Sequence, residues 1–222
     1  MAFWVQGEAL PIPPNFLVKL NRIQHCIKLP LTADFILSYF CRMRKLSMDE
    51  LGRKTVEQFK AADKTPLVLV LDNVRSMHNV GSVFRTADGF LLQGIILCGY
   101  TPVPPHRDIQ KTALGATETV EWQYFSTTVE AVTALQEGGY TVMAIEQAEQ
   151  SIMLDEFIPE RGKPLALVFG NEVSGVDSEV MKLVSGCIEI PQSGVKHSLN
   201  ISVSTGIVVW DIFVKLKKEK AI

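Results

Sequence analysis

Residues 188–212 read IEIPQSGVKHSLNISVSTGIVVWDI and predict a buried strand, a tight loop and an apolar helix in immediate succession. Ile190 is typical of the end of a buried strand, and Gly194 permits a sharp turn of the backbone. Ser198 and Asn200 then stand where the following helix begins. The loop therefore delivers polar side chains to the carboxyl end of a strand, which is where ligands usually bind in open α/β sheets.

Strand and helix patterns alternate along most of the chain. The run PLVLVLD over residues 66–72 indicates a strand buried on both faces, as in a parallel sheet. Further strands are predicted at residues 94–98, 119–122, 141–146, 165–169 and 187–190, and helices at residues 80–92, 128–137 and 178–184. This alternation predicts an α/β fold with a mostly parallel sheet and helices on both faces.

The N-terminal part of the chain has a different character. A proline cluster and apolar residues at helical spacing indicate an appendage that is helical or disordered, and Met43 is a workable alternative start. Ser47 and Glu50 form a capping-box pattern, which predicts a helix from Ser47 to about Ala62 that packs on the core. The expected division is an appendage at residues 1–42, this helical segment at residues 43–65 and the main domain at residues 66–222.

Composition narrows the class of protein. The 222 residues are 47% hydrophobic and 21% charged, which is enough for one well-buried core. The four cysteines are scattered without a Cys-x-x-Cys pair, so we expect no metal site and a reducing cytoplasm. No apolar run approaches the roughly 20 residues that span a bilayer, so we expect no membrane segment, and the first residues lack the basic region of a signal peptide. The formal net charge of −2 does not itself indicate nucleic-acid binding.

A second polar loop follows the first predicted strand and reads DNVRSMHNVGSVFRTADGF over residues 72–90. It places Asn79 where a helix begins and Arg85 one to two turns later. An arginine on an otherwise apolar helix is costly unless it pairs with a carboxylate or a phosphate. A structural salt bridge with Asp88 or Asp72 is the alternative to a functional role.

A third polar loop, FGNEVSGV over residues 169–176, ends another predicted strand. Gly170 lets a ligand approach the backbone, and Glu172 is either functional or a partner of a helix N-terminus. The glycine spacing matches neither a dinucleotide fingerprint nor a phosphate-binding loop. In the loop before the last helix, Ser198 is a natural N-cap, and capping is its structural alternative.

Together, the segments NVGSVFRTAD, LVFGNEVSGV and IEIPQSGVKHSLNISVSTGI resemble the three ordered motifs of the SpoU/TrmH-type RNA ribose 2′-O-methyltransferases of the SPOUT superfamily. The likeness covers roughly residues 67–213, and motif order, spacing and identity all agree. It implies an α/β fold whose C-terminal third forms a deep trefoil knot, an exception to the usual absence of knots. It also implies a homodimer that binds S-adenosylmethionine in the knot.

The resemblance assigns roles to individual residues. Gly170, Ile190 and Leu199 would hold the adenine and ribose of the cofactor through backbone groups and an apolar slot. The implied catalytic residues are Asn79, Arg85, Glu172, Ser198 and Asn200. Arg85, supplied by the partner subunit, would fix the target phosphate and stabilise the developing alkoxide. The proton acceptor stays open, with a deprotonated arginine as the idea favoured for the family.

The substrate implied by the resemblance is structured RNA, either tRNA or rRNA. Arg107, Lys111, Lys196 and His197 are candidate phosphate contacts. The main alternative is a non-catalytic RNA-binding or ribosome-assembly homodimer that retains the knotted fold. A further alternative, methylation of a base, is disfavoured by the Ser-Leu-Asn sequence at residues 198–200.

Overall fold

The computed structural model describes residues 2–5, 8–11, 45–47, 49–195 and 198–220. These residues belong to two compact units, Met1–Arg53 and Lys54–Ile222. In the N-terminal unit, Ala2–Val5 (β1) and Glu8–Pro11 (β2) pair as antiparallel strands, and Asp49–Leu51 forms one 3-10 turn. The helices that the sequence suggests further along this segment lie outside the described residues.

The helix predicted to begin at Ser47 begins only at Val56. The capping box of Ser47 does form, since its backbone N donates to Oε2 of Glu50 over 2.8 Å and Glu50 N donates to its Oγ over 3.4 Å. It caps only the 3-10 turn, however, because Gly52 follows with φ at +56°, in the left-handed region that glycine adopts without strain. A second capping box, built on Thr55, starts the helix that the pattern placed eight residues earlier.

The C-terminal unit is built on a seven-stranded sheet. Its strands are Thr65–Asp72 (β3), Leu92–Cys98 (β4), Trp122–Phe125 (β5), Thr141–Ile145 (β6), Ile152–Met153 (β7), Leu165–Phe169 (β8) and Gly186–Glu189 (β9). Their spatial order is β5-β4-β3-β8-β6-β9-β7, and every neighbouring pair is parallel. The predicted parallel sheet is confirmed.

Helices connect the strands. They are Val56–Ala61 (α1), Met77–Gly89 (α2), Arg107–Ala113 (α3), Ala116–Thr119 (α4), Thr128–Glu137 (α5), Ser178–Met181 (α6) and Ile201–Lys220 (α7). The strand predicted at residues 119–122 is misplaced, because α4 ends at Thr119 and β5 begins only at Trp122. No helix in the described ranges is long and apolar enough to cross a membrane.

The two faces of the sheet carry separate apolar cores. Alternate residues of β3 divide between them, since Leu69 packs into one core and Val70 into the other. The first core is covered by α2 and α7, through residues such as Phe84 and Ile212, and the second by α5, through residues such as Val132. Helices therefore lie on both faces, as predicted. Because all seven strands of this sheet are parallel, the loops that follow them meet at one edge of the sheet.

Candidate active site

A pocket of about 540 Å³ opens at the carboxyl ends of β6, β8 and β9. Its walls come from four segments that are distant in sequence. They are residues 145–147, residues 169–175, Ile190 with Gln192, and residues 198–201 with Ser204. The three residues that the resemblance assigns to the cofactor, Gly170, Ile190 and Leu199, all line this pocket.

The loop after β8 depends on two glycines. A Cβ on Gly170 would lie 2.1 Å from the carbonyl carbon of Gly175 and 2.2 Å from the backbone N of Val176, both of them backbone atoms that cannot swing aside. Gly175 has φ at +69°, and a Cβ there would lie 2.1 Å from Oε2 of Glu146. The backbone of residues 170–175 can thus form a tight floor for the pocket only with glycine at both positions.

Asn171 organises the same loop, although the sequence did not single it out. Its backbone exchanges two hydrogen bonds of 3.0 Å with Gly175. Its buried side chain makes four more, since Oδ1 accepts from Val173 N (2.7 Å) and Ser174 N (3.1 Å), while Nδ2 donates to Asn73 O (3.2 Å) and Tyr100 Oη (2.9 Å). A buried amide with both ends satisfied in this way locks the loop in one conformation.

Asn79, Glu172 and Asn200 come from the three motifs and form one hydrogen-bonded chain. Asn79 Nδ2 donates to Oε1 of Glu172 over 3.1 Å, and Asn200 Nδ2 donates to Oδ1 of Asn79 over 3.3 Å. Glu172 and Asn200 also line the pocket. The structure therefore brings together three of the five predicted catalytic residues at its rim.

Glu172 lies at the amino end of α2, where Arg75 N donates to its Oε2 over 3.2 Å. Burial raises the pKa of this carboxyl group, but hydrogen bonds from its own amide, from the Arg75 amide, from the Asn79 side chain and from the Ser76 amide outweigh burial, so the pKa falls below its ordinary value. Glu172 therefore does pair with a helix N-terminus, which was the structural alternative to a functional role, and it also lines the pocket.

Arg85 does not line the pocket of its own chain. It lies on the exposed side of α2, and the expected structural alternative, a salt bridge, is not formed. Asp72 instead accepts hydrogen bonds from Thr128 Oγ1 and Asp177 N, and Asp88 accepts one from Thr119 Oγ1. Within the described ranges no ion pair involves Arg85, so its guanidinium is open to solvent.

Ser198 lines the pocket but is not the N-cap of α7, which corrects the structural alternative considered for it. The cap is Asn200, whose Oδ1 accepts from Ser202 N over 2.9 Å and whose backbone O accepts from Val203 N and Ser204 N. In the described part of the chain, Ser198 makes no hydrogen bond and is exposed, so its hydroxyl is available to a ligand.

Glu146 is a pocket residue that the sequence reasoning missed. It directly follows β6, and its carboxylate accepts from Gln147 N over 2.9 Å and from Val176 N over 3.2 Å. Its sequence position could have identified it, because Glu146 is a polar residue directly after a predicted buried strand, as in the other loops. Glu146 and Glu172 both line the pocket, and these two carboxylates favour a ligand group with positive charge.

Two of the four candidate RNA contacts lie in the described part of the chain. Arg107 and Lys111 both belong to α3, which packs beside α2, and Lys111 Nζ lies 2.6 Å from Oδ1 of Asp108 in an exposed ion pair. Lys196 and His197 lie outside the described residues. Among the described residues, no group of three or more His, Cys, Asp and Glu side chains is placed to hold a metal ion.

A parallel sheet covered by helices on both faces, with one glycine-floored pocket at its carboxyl edge, defines a ligand-binding α/β domain. Comparison with known families identifies it further. The model of the SpoU rRNA Methylase family matches residues 66–210, and the chain belongs to that family. The predicted family resemblance is confirmed.

Several named relatives share this domain. A putative TrmH family tRNA/rRNA methyltransferase of Staphylococcus saprophyticus is 32% identical over 72% of this chain and 63% of its own length. The 23S rRNA (guanosine-2′-O-)-methyltransferase RlmB of Vibrio parahaemolyticus is 31% identical over 73% of this chain and 64% of its own. For the tRNA (guanosine(18)-2′-O)-methyltransferase of Thermus thermophilus, the identity is 29% and the coverage 73% and 81%. The chain thus spans somewhat less than two thirds of the first two relatives.

Solved structures agree with this assignment. The AdoMet-bound rRNA methyltransferase of Sinorhizobium meliloti superposes with a TM-score of 0.64 at 28% identity, over 69% of this chain and 58% of that one. The TrmH/SpoU tRNA modifying enzyme of A. aeolicus has a TM-score of 0.65 at 24% identity, over 74% of this chain and 82% of that one, and shows the same fold.

Proposed function

We propose that this protein transfers a methyl group from S-adenosylmethionine to a ribose 2′-hydroxyl of structured RNA, either tRNA or rRNA. The hydrogen-bonded chain of Asn79, Glu172 and Asn200 at the rim of the pocket carries this proposal, because it joins all three motifs in one place. Relatives named as guanosine 2′-O-methyltransferases of rRNA and of tRNA support the reaction type.

The pocket fits the proposed cofactor. S-adenosylmethionine supplies an activated methyl group on a positively charged sulfur. Glu146 and Glu172 give the pocket a negative charge that suits this cation, while Ile190 and Leu199 offer apolar contact for the adenine. A relative solved with AdoMet bound supports the choice of cofactor.

The polar chain would position the reacting ribose. Hydrogen bonds hold the pKa of Glu172 below its ordinary value, which stabilises the carboxylate form. This carboxylate accepts a hydrogen bond from Asn79 Nδ2, and the Asn79 oxygen accepts one from Asn200. The amides are therefore oriented before the substrate binds, and groups that hold the reactants in the right geometry lower the barrier to reaction. Ser198, which has a free hydroxyl beside the pocket, is placed to contact the same substrate.

The proposal includes a homodimer in which Arg85 of one subunit completes the site of the other. Exposed apolar residues recur along one side of α7 at positions 203, 207 and 210, where Val203, Ile207 and Trp210 are 49%, 39% and 57% exposed. A second copy of the chain would cover this stripe. The solvent-facing guanidinium of Arg85, which lacks a carboxylate partner in the described part of its own chain, would then serve the partner's pocket.

The proposal also includes a C-terminal deep trefoil knot and a cytoplasmic location. The course of the chain after β9 supports the knot. β9 is separated from β3 by β8 and β6, yet α7 returns to pack on α2, and Asn200 bonds to Asn79 there. The described residues between β9 and α7 include Ile190, Gln192, Ser198, Leu199 and Asn200, which all line the pocket.

The substitution Arg85→Ala tests catalysis apart from cofactor binding. We expect loss of methyl transfer with unchanged affinity for S-adenosylmethionine, measured by transfer of labelled methyl groups to RNA and by calorimetry. Wild-type turnover in this variant would exclude the role of Arg85. Failure of the wild-type protein to bind either S-adenosylmethionine or S-adenosylhomocysteine would instead favour a non-catalytic RNA-binding dimer.

Co-expression of two inactive chains tests the shared site. Chains carrying Arg85→Ala and Ser198→Ala, paired at random, would form heterodimers with one intact site each, and we expect about a quarter of the wild-type activity. No recovery above that of either single variant would contradict a site built from two subunits. Mapping of ribose methylation in a deletion strain would then identify the RNA and the nucleotide.

A further inference from the structure

We infer that Tyr100, together with Arg75, forms a stacking platform for an unpaired nucleobase of the RNA, directly beside the catalytic rim. The inference rests on the proposed function and adds to it the surface that receives the substrate. Neither residue belongs to the three motifs or lines the pocket, but each is one hydrogen bond away from the pocket loop.

Tyr100 is an exposed aromatic ring that is held rigidly. It lies just beyond β4, and 58% of the residue is exposed. Its hydroxyl accepts a hydrogen bond from Asn171 Nδ2 over 2.9 Å, and its backbone N donates to Asn73 Oδ1 over 3.2 Å. The hydroxyl and the backbone N of Tyr100 are therefore both held by hydrogen bonds, while the residue as a whole stays largely exposed to solvent. A ring fixed in this way loses little conformational entropy when a ligand stacks on it.

Arg75 supplies positive charge next to that ring. Its Cζ lies 5.8 Å from the centroid of the Tyr100 ring, and its backbone N is bonded to Glu172. In the described part of the chain, no carboxylate forms an ion pair with its guanidinium. The group is thus available to a phosphate or to the face of a base.

A second tyrosine extends the aromatic surface. Tyr124 lies on β5, the neighbour of β4, and its hydroxyl donates to Gly99 O over 2.9 Å while the residue remains 51% exposed. Tyr124 on β5 and Tyr100 just after the adjacent β4 therefore both hydrogen-bond through their hydroxyls and leave their rings largely in solvent. Sequence-tolerant binding of single-stranded RNA uses such rings, because every base has a face that stacks on them.

The position of the platform matches the proposed chemistry. Arg75 is joined to Glu172 and Tyr100 to Asn171, so both platform residues adjoin the same loop that carries the catalytic glutamate. An unpaired nucleotide whose base rests on Tyr100 would have its sugar–phosphate backbone directed along the rim occupied by Asn79. The surface therefore selects RNA with splayed-out bases over a regular duplex.

The test compares variants of the full-length protein by fluorescence anisotropy with a short labelled single-stranded RNA of mixed sequence. We expect Tyr100→Ala to weaken binding about fivefold to a hundredfold, the range for loss of one base–aromatic stack. Tyr100→Phe keeps the ring and loses only the hydroxyl, so it should bind within about twofold of wild type. The same sequence as an RNA duplex should bind Tyr100→Ala and wild type equally.

Arg75→Ala is compared with Arg161→Ala, which removes the same charge from an exposed arginine at the opposite edge of the sheet, before β8. We expect the larger loss of RNA affinity from Arg75→Ala. The mass of the oligomer should match wild type in all four variants, and affinity for S-adenosylmethionine should match it in Arg75→Ala and Arg161→Ala. Because Tyr100→Ala and Tyr100→Phe both lose the hydroxyl that Asn171 contacts, any change in cofactor affinity should be equal in the two, and a difference in RNA affinity between them reports the ring alone.

Equal losses in Tyr100→Phe and Tyr100→Ala would show that the tyrosine only supports Asn171 and would overturn the platform. Wild-type RNA affinity in Tyr100→Ala, or a changed oligomer, would overturn it as well. The proposed function fails separately, if the wild-type protein binds the RNA through Tyr100 but transfers no methyl group to any cellular RNA.

Discussion

The role of Asn171 as the organiser of the pocket loop leads to a quantitative prediction for Asn171→Ala. This substitution removes four side-chain hydrogen bonds at a position that is 5% exposed. At about 1 kcal/mol net for each bond, the upper figure is about 4 kcal/mol. Water can replace the two bonds to Val173 and Ser174, which are exposed, so we expect a loss of about 2–3 kcal/mol in the free energy of unfolding.

The measurement is urea denaturation followed by circular dichroism at a fixed protein concentration, since the stability of the proposed dimer would depend on concentration. A calorimetric titration with S-adenosylmethionine accompanies it, and we expect weaker binding because the floor of the pocket is no longer held. Ser174→Ala is the matched control, since it changes an exposed side chain in the same loop and should stay within about 0.5 kcal/mol of wild type.

A free energy of unfolding for Asn171→Ala equal to that of Ser174→Ala, together with wild-type cofactor affinity in Asn171→Ala, would contradict this prediction. That outcome would mean that the backbone bonds between Asn171 and Gly175 hold the loop without help from the side chain. Reduced stability with normal cofactor affinity would confirm the packing role and exclude the link to the pocket.

Three further outcomes are expected. Gly170→Ala should lower stability by about 1–3 kcal/mol and prevent cofactor binding, because the added Cβ would lie 2.1 Å from a backbone atom. Gly194→Ala is the control and should be near neutral, since no atom lies within 4 Å of its Cβ. Thermal unfolding of the two variants compares them. The pKa of Glu172 is depressed, so the stability that its charge contributes is present above its ordinary pKa of 4.5 and is lost as pH falls through the lower folded value. The difference in free energy of unfolding between wild type and Glu172→Gln should therefore vanish in acid. A difference that persists there would contradict this. Burial raises the pKa of Cys98 to about 12, so iodoacetamide at mildly alkaline pH should alkylate it only after unfolding, as peptide mapping can show.

The sequence indicated several of the residues that meet at the rim of the pocket. Continuous apolar runs such as residues 66–72 indicated strands buried on both faces, and the structure has them in one parallel sheet. Polar residues after those strands indicated a site at their carboxyl ends, and Asn79, Glu172 and Asn200 are indeed bonded to one another. Local pattern suffices for this, because burial and turn formation depend on neighbouring residues.

Local pattern was less reliable for the ends of helices. The capping box at Ser47 is real, but Gly52 stops the turn that it starts, and Thr55 caps the helix instead. Ser198 and Asn200 are both good N-caps by residue type, and the choice of Asn200 follows from where the chain leaves the pocket. When two neighbouring residues can cap equally well, tertiary contacts decide between them.

Only the tertiary structure gave Asn171 and Glu146 their roles. Asn171 bonds to Tyr100 across 71 positions and to Asn73 across 98, and Glu146 bonds to Val176 across 30. These contacts exist because β8 lies between β3 and β6 in the sheet, an order that composition and periodicity do not specify. Local sequence therefore specifies most of the strands and the polar residues that follow them. Which of those residues meet depends on the order of the strands, because hydrogen bonds form only between groups that the fold brings within about 3 Å.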